Sequence, residues 1–167
     1  MLRPLVAILL LPFLVVAVLP YWLLTAFAGA DTRWATGSLL VWLARPAGIL
    51  LYGAGLALFG WCMILFARVG KGTLAPWDPT RNLVATGPYR YVRNPMIAGV
   101  GSMLLGEALF WGSALLGAWA GFFLLLNHVY FIFSEEPGLE QRFGEEYRAY
   151  KEHVPRWIPR RRPWKGK

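Results

Sequence analysis

The feature that most constrains this chain is its long apolar runs, the first of which extends without a charge from Leu5 to Phe27. A helix that crosses a bilayer needs roughly 20 such residues. Further apolar runs extend from Pro46 to Ala67 and from Pro95 to Ser134, and the latter is divided by a Trp111-Gly112-Ser113 turn. The sequence therefore predicts an all-α membrane protein with about four transmembrane helices, of which the third and fourth form a helical hairpin.

Composition excludes the other broad classes. The chain has 57% hydrophobic and 16% charged residues, whereas soluble domains average roughly 45–50% apolar and about 25% charged residues. Disordered chains are poor in aliphatic and aromatic residues. The net charge of +8 is common in proteins that bind nucleic acid, but that role does not explain the apolar runs, so we expect no nucleic-acid partner. The single cysteine, Cys62, permits no intramolecular disulfide and no metal cluster.

The first apolar run has two readings. Arg3 precedes it and Ala28-Gly29-Ala30 follows it, which is the arrangement of a secretory signal with its cleavage site. The run is longer than a usual signal core, so we favour a membrane anchor.

The distribution of basic residues predicts the orientation. Lysine and arginine are concentrated in residues 68–93 and 135–167, whereas the connector 29–45 contains only Arg33 and Arg45. Cytoplasmic loops carry an excess of positive charge. We therefore expect a multi-pass protein, integral to a bacterial-type inner membrane, with both termini in the cytoplasm.

The segment after the last apolar run has the pattern of an amphipathic helix. Pro137 cannot continue the preceding helix without a kink, so we expect a new helix to begin there and to end before Pro155. Apolar residues recur along it at spacings of four, four and three, which indicates one apolar face: Leu139, Phe143, Tyr147 and Tyr150. Such a helix lies on the cytoplasmic membrane surface or caps the bundle. The Arg160-Arg161-Arg162 run beyond it predicts contact between the basic tail and anionic lipid.

The segment from Gly87 to Pro95 is the first candidate site. Asn94 is a favoured helix N-cap, and Pro95 suits the first helical turn. Arg90 and Arg93 either extend to the membrane interface or, together with the helix N-terminus, form an anion site. Both interpretations stay open from the residues alone. Gly99 and Gly101, which follow, are typical of close helix packing, although missing side chains also admit a ligand.

Ionisable and polar residues within the last apolar block are the second candidate site. Glu107 is four residues from Trp111, and Asn127 and His128 precede the acidic pair. His128 and Glu135 are seven residues apart and share one helix face. Ionisable residues in spans are candidates for function, and two adjacent carboxylates at the membrane rim can bind a cationic or hydroxyl-rich ligand.

These motifs together resemble the superfamily of isoprenylcysteine carboxyl methyltransferases and phospholipid N-methyltransferases. Its pattern is an Arg-His-Pro-x-Tyr segment, a hydrophobic hairpin and a Glu-Glu pair. The matching segments here are Arg93-Asn94-Pro95-Met96-Ile97, Gly99-Val100-Gly101, Glu135-Glu136, Phe143-Gly144-x-x-Tyr147-x-x-Tyr150 and Val154-Pro155-Arg156-Trp157-Ile158-Pro159. Asn94 stands in place of the usual histidine and Ile97 in place of the usual tyrosine. The resemblance extends over roughly residues 70–159.

The resemblance implies an S-adenosylmethionine-dependent methyltransferase that acts on a lipophilic acceptor, either a phospholipid amine or an isoprenoid-type carboxylate. Residues 1–69 would form a two-helix membrane anchor and residues 70–167 the catalytic part. Cofactor-binding roles are implied for a set of loop, helix and acidic residues: Gly87, Tyr89, Arg93, Asn94, Pro95, Gly99, Gly101, Glu135, Glu136 and Tyr147. The candidate catalytic residues are His128 as a base for an amine acceptor, Asn127 beside it, and Arg90 or Arg156 to orient a carboxylate acceptor.

Two other functions stay open on the sequence. A fold-related membrane reductase would use NADPH at the corresponding site. A non-enzymatic membrane scaffold would use the same motifs only to cap and pack helices.

Overall fold

The structure is a computed structural model that describes residues 11–31, 38–70 and 81–166, and all regular structure in these ranges is helical. The predicted all-α class is therefore confirmed for the described part of the chain. Five α-helical elements follow in order: α1 (Leu11–Ala26), α2 (Leu39–Leu65), α3 (Pro95–Trp111), α4 (Ala114–Tyr130) and α5 (Glu136–His153). Residues 5–10 of the first predicted span lie outside the described residues.

Among the described residues, two continuous helical segments are long and apolar enough to cross a membrane. Leu39–Gly70 has 32 residues with a mean hydropathy of 2.1, and Ala114–His153 has 40 residues with a mean hydropathy of 1.7. Helix α3, and the part of α1 that the structure describes, are apolar but shorter than 18 residues. The helices fit a membrane protein, and the count of four spans stays a prediction.

Helix α2 begins seven residues before the predicted boundary at Pro46, which lies inside the helix. A proline removes one backbone hydrogen bond, and membrane helices tolerate this loss better than soluble ones. A wider π-helical turn, Phe66–Gly70, follows α2 directly.

The hairpin turn between α3 and α4 is confirmed at its predicted position. Gly112 has a φ of +65°, a conformation that costs glycine little because it has no Cβ. The hydroxyl oxygen of Ser113 accepts a hydrogen bond from the backbone N–H of Leu116 at 3.1 Å, which caps the start of α4.

The prediction that Pro137 separates two helices is wrong in one respect. Helix α5 begins at Glu136, but the chain stays helical throughout Ala114–His153. A π-helical turn, Phe131–Glu135, lies immediately before Glu136, and Pro137 occupies the first turn of α5. The wider turn and the first-turn position together accommodate a residue without a backbone N–H. The break in helical geometry lies instead at Gly144, which has a φ of +52°.

The described residues belong to two compact units: residues 1–57 with 99–125, and residues 58–98 with 126–167. In the first unit, α2 and α3 approach each other backbone to backbone. A Cβ added at Gly48 would lie 2.6 Å from the carbonyl oxygen of Gly106, and one at Gly55 would lie 2.5 Å from that of Gly99. Glycine at these positions therefore permits the close packing that is typical of membrane helices.

The second unit has its own core around the predicted amphipathic helix. Tyr147, Tyr150 and Val154 are buried at its centre. Partly buried hydrophobic residues pack against them: Leu83, Ala85, Leu139, Phe143 and Trp164. The predicted apolar face of α5 is thus confirmed, although Gly144 changes the helix direction halfway along it.

Candidate functional site

The second unit positions most of the predicted site residues, beginning with a 3₁₀ turn, Gly87–Arg90. Gly87 has a φ of +58°, and a Cβ there would lie 2.9 Å from a methyl group of Leu65. The turn buries Tyr89, whose hydroxyl hydrogen-bonds to Cys62. Burial is also the main reason why the pKa of Tyr89 is raised well above its usual value, so this phenol stays protonated at physiological pH. The hydroxyl of Tyr150 donates to the Tyr89 carbonyl at 2.7 Å.

The C-terminal tail is hydrogen-bonded to the segment that follows this turn. Three backbone bonds of 2.9–3.0 Å link the two segments: Arg93 N–H to Pro155, Arg160 N–H to Tyr91, and Trp164 N–H to Arg90. The Arg90 guanidinium also donates to the Trp164 carbonyl. Arg90 therefore already has a partner within the protein, and that partner belongs to the tail.

An ion cluster around Glu136 connects three parts of the second unit. Its carboxylate lies 3.1 Å from Arg93 Nη1, 2.7 Å from Arg156 Nε and 3.5 Å from Lys151 Nζ. The Glu136 side chain is 7% exposed and that of Arg93 is 11% exposed. The hydrogen bond to Glu136 is the main reason why the pKa of Arg156 is raised, although burial opposes it. Buried carboxylates require partners of this kind. Glu136 therefore has an organising role in this unit: it holds the side chains of Arg93, Arg156 and Lys151 together.

Glu135 has different surroundings from its neighbour. It forms no ion pair within 4 Å with another residue in the described part of the chain, but it interacts electrostatically with Arg142, Tyr89 and Tyr147. Tyr147 in turn hydrogen-bonds to Arg93. The structure therefore brings together the predicted residues Tyr89, Arg93, Glu135, Glu136 and Tyr147.

Three buried donor atoms beside this cluster lack a hydrogen-bond acceptor within the described residues. They are Nδ2 of Asn94 and, on Arg93, Nε and Nη1, although Nη1 is at ion-pair distance from Glu136. Asn94 directly precedes α3, and its carbonyl accepts from Ala98 at 3.0 Å, as the carbonyl of an N-cap residue does. Pro95 begins the helix and is fully buried. Unsatisfied buried donors in a folded protein point to an acceptor supplied from outside the chain.

His128 makes a contact that defines its protonation. The indole Nε1 of Trp157 lies 2.9 Å from His128 Nδ1. Because an indole N–H is only a donor, Nδ1 must be the acceptor, and a neutral ring then carries its proton on Nε2. The neighbouring Asn127 is partly buried in the same unit.

Two predicted cofactor residues belong to the first unit. Gly99 packs against α2, as described above, and a Cβ at Gly101 would lie 2.7 Å from Leu124. Their contacts are those of helix packing, which was one of the two interpretations that the sequence left open.

Sequence reasoning gave no role to three residues that contact the predicted site residues: Lys151, Trp164 and Trp157, the last of which was noted only as part of the family's tail motif. Lys151 Nζ lies 3.6 Å from Glu140 Oε2, across the kink at Gly144, so helix periodicity does not indicate this contact. Trp157 and Trp164 lie in the tail, where no periodicity indicates their partners.

The second unit is therefore helical and contains a buried arginine–carboxylate cluster. Beside this cluster lie N–H groups of Asn94 and Arg93 that have no hydrogen-bond acceptor in the described residues. The chain belongs to the phospholipid methyltransferase family, whose model matches residues 43–146. A 58-residue segment is 43% identical to an uncharacterized protein of Haemophilus influenzae, and it covers 34% of this chain and 89% of that protein. No solved structure matches the chain.

The residues present fit the methyl donor that the family implies. S-adenosylmethionine carries a carboxylate, an amino group and ribose hydroxyls. The free N–H groups of Asn94 and Arg93 have the chemistry to bind a carboxylate. Glu135, which forms no ion pair within 4 Å among the described residues and interacts with Arg142 only at longer range, has the chemistry to accept from an amino group or a hydroxyl.

Proposed function

We propose that this protein is an integral membrane methyltransferase that transfers the methyl group of S-adenosylmethionine to a lipophilic acceptor. Membership of the phospholipid methyltransferase family supports the reaction class. The observation that carries the cofactor assignment is the set of buried donors on Asn94 and Arg93 that have no hydrogen-bond acceptor, beside the Glu135 carboxylate, which forms no ion pair within 4 Å among the described residues.

The proposal gives each residue a separate task. Asn94 and Arg93 bind the carboxylate of the methyl donor, and Glu135 binds its amino group or ribose. Glu136 holds Arg93, Lys151 and Arg156 in place. The cofactor supplies an activated methyl group, and the protein contributes orientation and exclusion of water.

The contact with Trp157 changes the role proposed for His128. A base must offer an unprotonated nitrogen, but Nδ1 already accepts from the indole. While that bond holds, the neutral ring offers only Nε2–H to a ligand. We therefore assign His128 a hydrogen bond to an oxygen of the acceptor. Arg90, which donates to the Trp164 carbonyl, is not required for the chemistry.

The experiment is calorimetric titration of the detergent-purified protein with S-adenosylmethionine, S-adenosylhomocysteine and NADPH. We expect the first two to bind and NADPH not to bind. Binding of NADPH alone would identify the reductase, and binding of none to folded protein would identify the scaffold. Glu135→Gln should weaken cofactor binding at least tenfold. Glu152→Gln, which neutralises an exposed carboxylate on the same helix, is the matched control and should have no effect.

The acceptor is tested with the same protein. Incubation with methyl-labelled cofactor and total membrane lipid should give labelled lipid in the organic phase, and mass spectrometry then identifies the methylated atom. Absence of labelled lipid despite cofactor binding would exclude a lipid acceptor.

We also propose four spans with both termini in the cytoplasm and the basic tail on anionic lipid. The concentration of lysine and arginine in residues 68–93 and 135–167 supports this orientation. Single cysteines placed near residues 35 and 165 of a Cys62→Ser protein should react with a membrane-impermeant maleimide from opposite sides. Reaction from the same side would refute it.

A further inference from the structure

The segment of residues 155–164, which we call the strap, lies against the candidate site in the second unit. Helix α5 ends at His153, and Val154 after it is extended, with a φ of −112° and a ψ of +117°. The strap itself contains neither helix nor strand. Its prolines at positions 155, 159 and 163 lack the backbone N–H that regular structure needs. The strap is therefore held only by contacts to its neighbours.

The beginning of the strap contacts Arg93 from two directions. The carbonyl of Pro155 accepts a hydrogen bond from the backbone N–H of Arg93 at 2.9 Å. Arg156 Nε donates to Oε1 of Glu136 at 2.7 Å, and the same oxygen lies 3.1 Å from Arg93 Nη1. The strap thus binds both the backbone of Arg93 and the carboxylate that holds its guanidinium.

The middle of the strap contacts the residue that we assign to the acceptor. The indole of Trp157 donates to His128 Nδ1 at 2.9 Å, and its ring packs against Phe131 with the centroids 5.8 Å apart. One short segment without secondary structure therefore contacts the residues proposed for the methyl donor and the residue proposed for the acceptor.

The end of the strap is joined to the loop before α3 by backbone hydrogen bonds. Arg160 N–H donates to Tyr91 at 3.0 Å, and Trp164 N–H donates to Arg90 at 2.9 Å. The outer side of the strap faces away from the protein, since Ile158 is 80% exposed. None of these bonds belongs to a helix, so the strap can separate from the loop while α5 stays folded.

The proposed function requires a ligand to reach groups that are closed off in this structure. Nε of Arg93 and Nδ2 of Asn94 are both buried, but a hydrogen-bond acceptor must approach such a donor to about 3 Å. Part of the surrounding protein must therefore move before the methyl donor can bind. The strap contacts Arg93 directly and has no secondary structure to lose, which makes it the element that moves at least cost.

We propose that the strap is a lid, which swings open at Val154 to admit the methyl donor and closes again over the bound molecule. The proposal rests on the proposed function of the site, and it adds that opening of the strap limits the rates of cofactor entry and exit. A lid of this kind also excludes water from the reaction while it is closed.

The first test needs no ligand, because a lid opens as one unit in the free protein. The backbone N–H groups of Arg93, Arg160 and Trp164 all donate across the contact between strap and loop. Hydrogen exchange of the purified protein, measured residue by residue, should give these three amides protection factors that agree within about threefold. Their protection should be at least about tenfold lower than that of Tyr150, which lies buried in α5. Three unrelated protection factors, or protection equal to that of Tyr150, would overturn the proposal.

The second test closes the lid covalently. Tyr91→Cys and Arg160→Cys are introduced into a Cys62→Ser protein and joined by a short, reducible bis-methanethiosulfonate reagent after folding. Stopped-flow measurements with S-adenosylhomocysteine should show association and dissociation rates that both fall at least about tenfold, because the joined lid opens less often. The dissociation constant should stay within about twofold, since the closed state is the same, and a reductant should restore both rates.

A cross-link inside the strap is the matched control. Arg161→Cys and Arg162→Cys are adjacent and exposed, so joining them leaves the strap free to open and should leave both rates unchanged. Unchanged rates in the protein that is joined between positions 91 and 160, or equal slowing in both proteins, would overturn the proposal.

Failure of the proposed function would be recognised separately. If the reduced protein did not bind S-adenosylhomocysteine at all, the cofactor assignment would be wrong, and hydrogen exchange alone would decide whether the strap opens. The cross-link between positions 91 and 160 should then raise the protection of the Arg93 and Trp164 amides at least about tenfold. Unchanged protection would overturn the opening of the strap itself.

Discussion

Neutralising Glu136 should open the second unit, because this carboxylate is the only counter-charge that the described residues provide to Arg93 and Arg156. The side chains of Glu136, Arg93 and Arg156 are 7%, 11% and 22% exposed, so solvent does not replace the lost charge. Removal of one partner from a buried pair costs about 3–5 kcal/mol. Glu136→Gln keeps one oxygen acceptor, which favours the lower value. Lys151, 40% exposed, adds little because solvent screens its charge.

Cys62 provides the assay. It is the only cysteine and is fully buried in the same unit, so a fluorogenic maleimide reacts with it only when that unit opens. When opening is a fast pre-equilibrium, the labelling rate measures the free energy of opening. A loss of about 3 kcal/mol at 1.36 kcal/mol per factor of ten predicts roughly 150-fold faster labelling.

Glu152→Gln is the control for this prediction, because it removes an exposed charge from the same helix. Exposed substitutions change stability by about 0.5 kcal/mol or less, so its labelling should accelerate by no more than about twofold. Acceleration of less than about tenfold in Glu136→Gln, or equal acceleration in both variants, would refute the organising role of Glu136.

Three further variants test separate parts of the structure. Trp157→Phe should lose about 1 kcal/mol of stability, and His128 should no longer be held in the tautomer that is protonated on Nε2. Nitrogen NMR of labelled histidine measures the tautomer. A wild-type ring with its proton on Nδ1 would contradict the contact. Gly144→Ala should cost about 1–3 kcal/mol because of its positive φ, measured by the same thiol labelling, and unchanged labelling would refute the kink. Gly48→Ala should lower the melting temperature, because its Cβ would lie 2.6 Å from a backbone oxygen. Gly53→Ala is the control and should not lower it, because a Cβ there has nothing within 4 Å. Equal melting temperatures of the two variants would contradict the close packing.

The helices were predictable because their signals are local. Apolar runs, the glycine at the hairpin turn and the four-four-three spacing in α5 each determine structure within one or two turns. The boundary at Pro137 was predicted less well, since whether a proline breaks a helix depends on how the preceding turn adjusts. Here the π-helical turn Phe131–Glu135 makes that adjustment, and no single residue in it indicates a wider turn.

The sequence predicted which residues lie together in the candidate site, but not which contacts each of them makes. Adjacent glutamates are chemically identical in the sequence, and only tertiary contacts distinguish them. Glu136 contacts two guanidinium groups, whereas Glu135 lies near tyrosines. The bond between Trp157 and His128 joins residues 29 positions apart, a distance over which helix periodicity carries no information.

The tail explains how a family pattern becomes a complete site in this chain. The family match ends at residue 146, yet Lys151, Arg156 and Trp157 all lie beyond it and supply partners to Glu136 and His128. Among the described residues of the matched range, Glu136 forms an ion pair only with Arg93, and the hydrogen-bond partner of His128, Trp157, lies outside that range. The residues beyond the match therefore supply two of the three cationic partners of Glu136. They also occupy Nδ1 of His128, which leaves Nε2 of that ring to contact a ligand. These contacts determine which groups of the second unit stay available to a ligand.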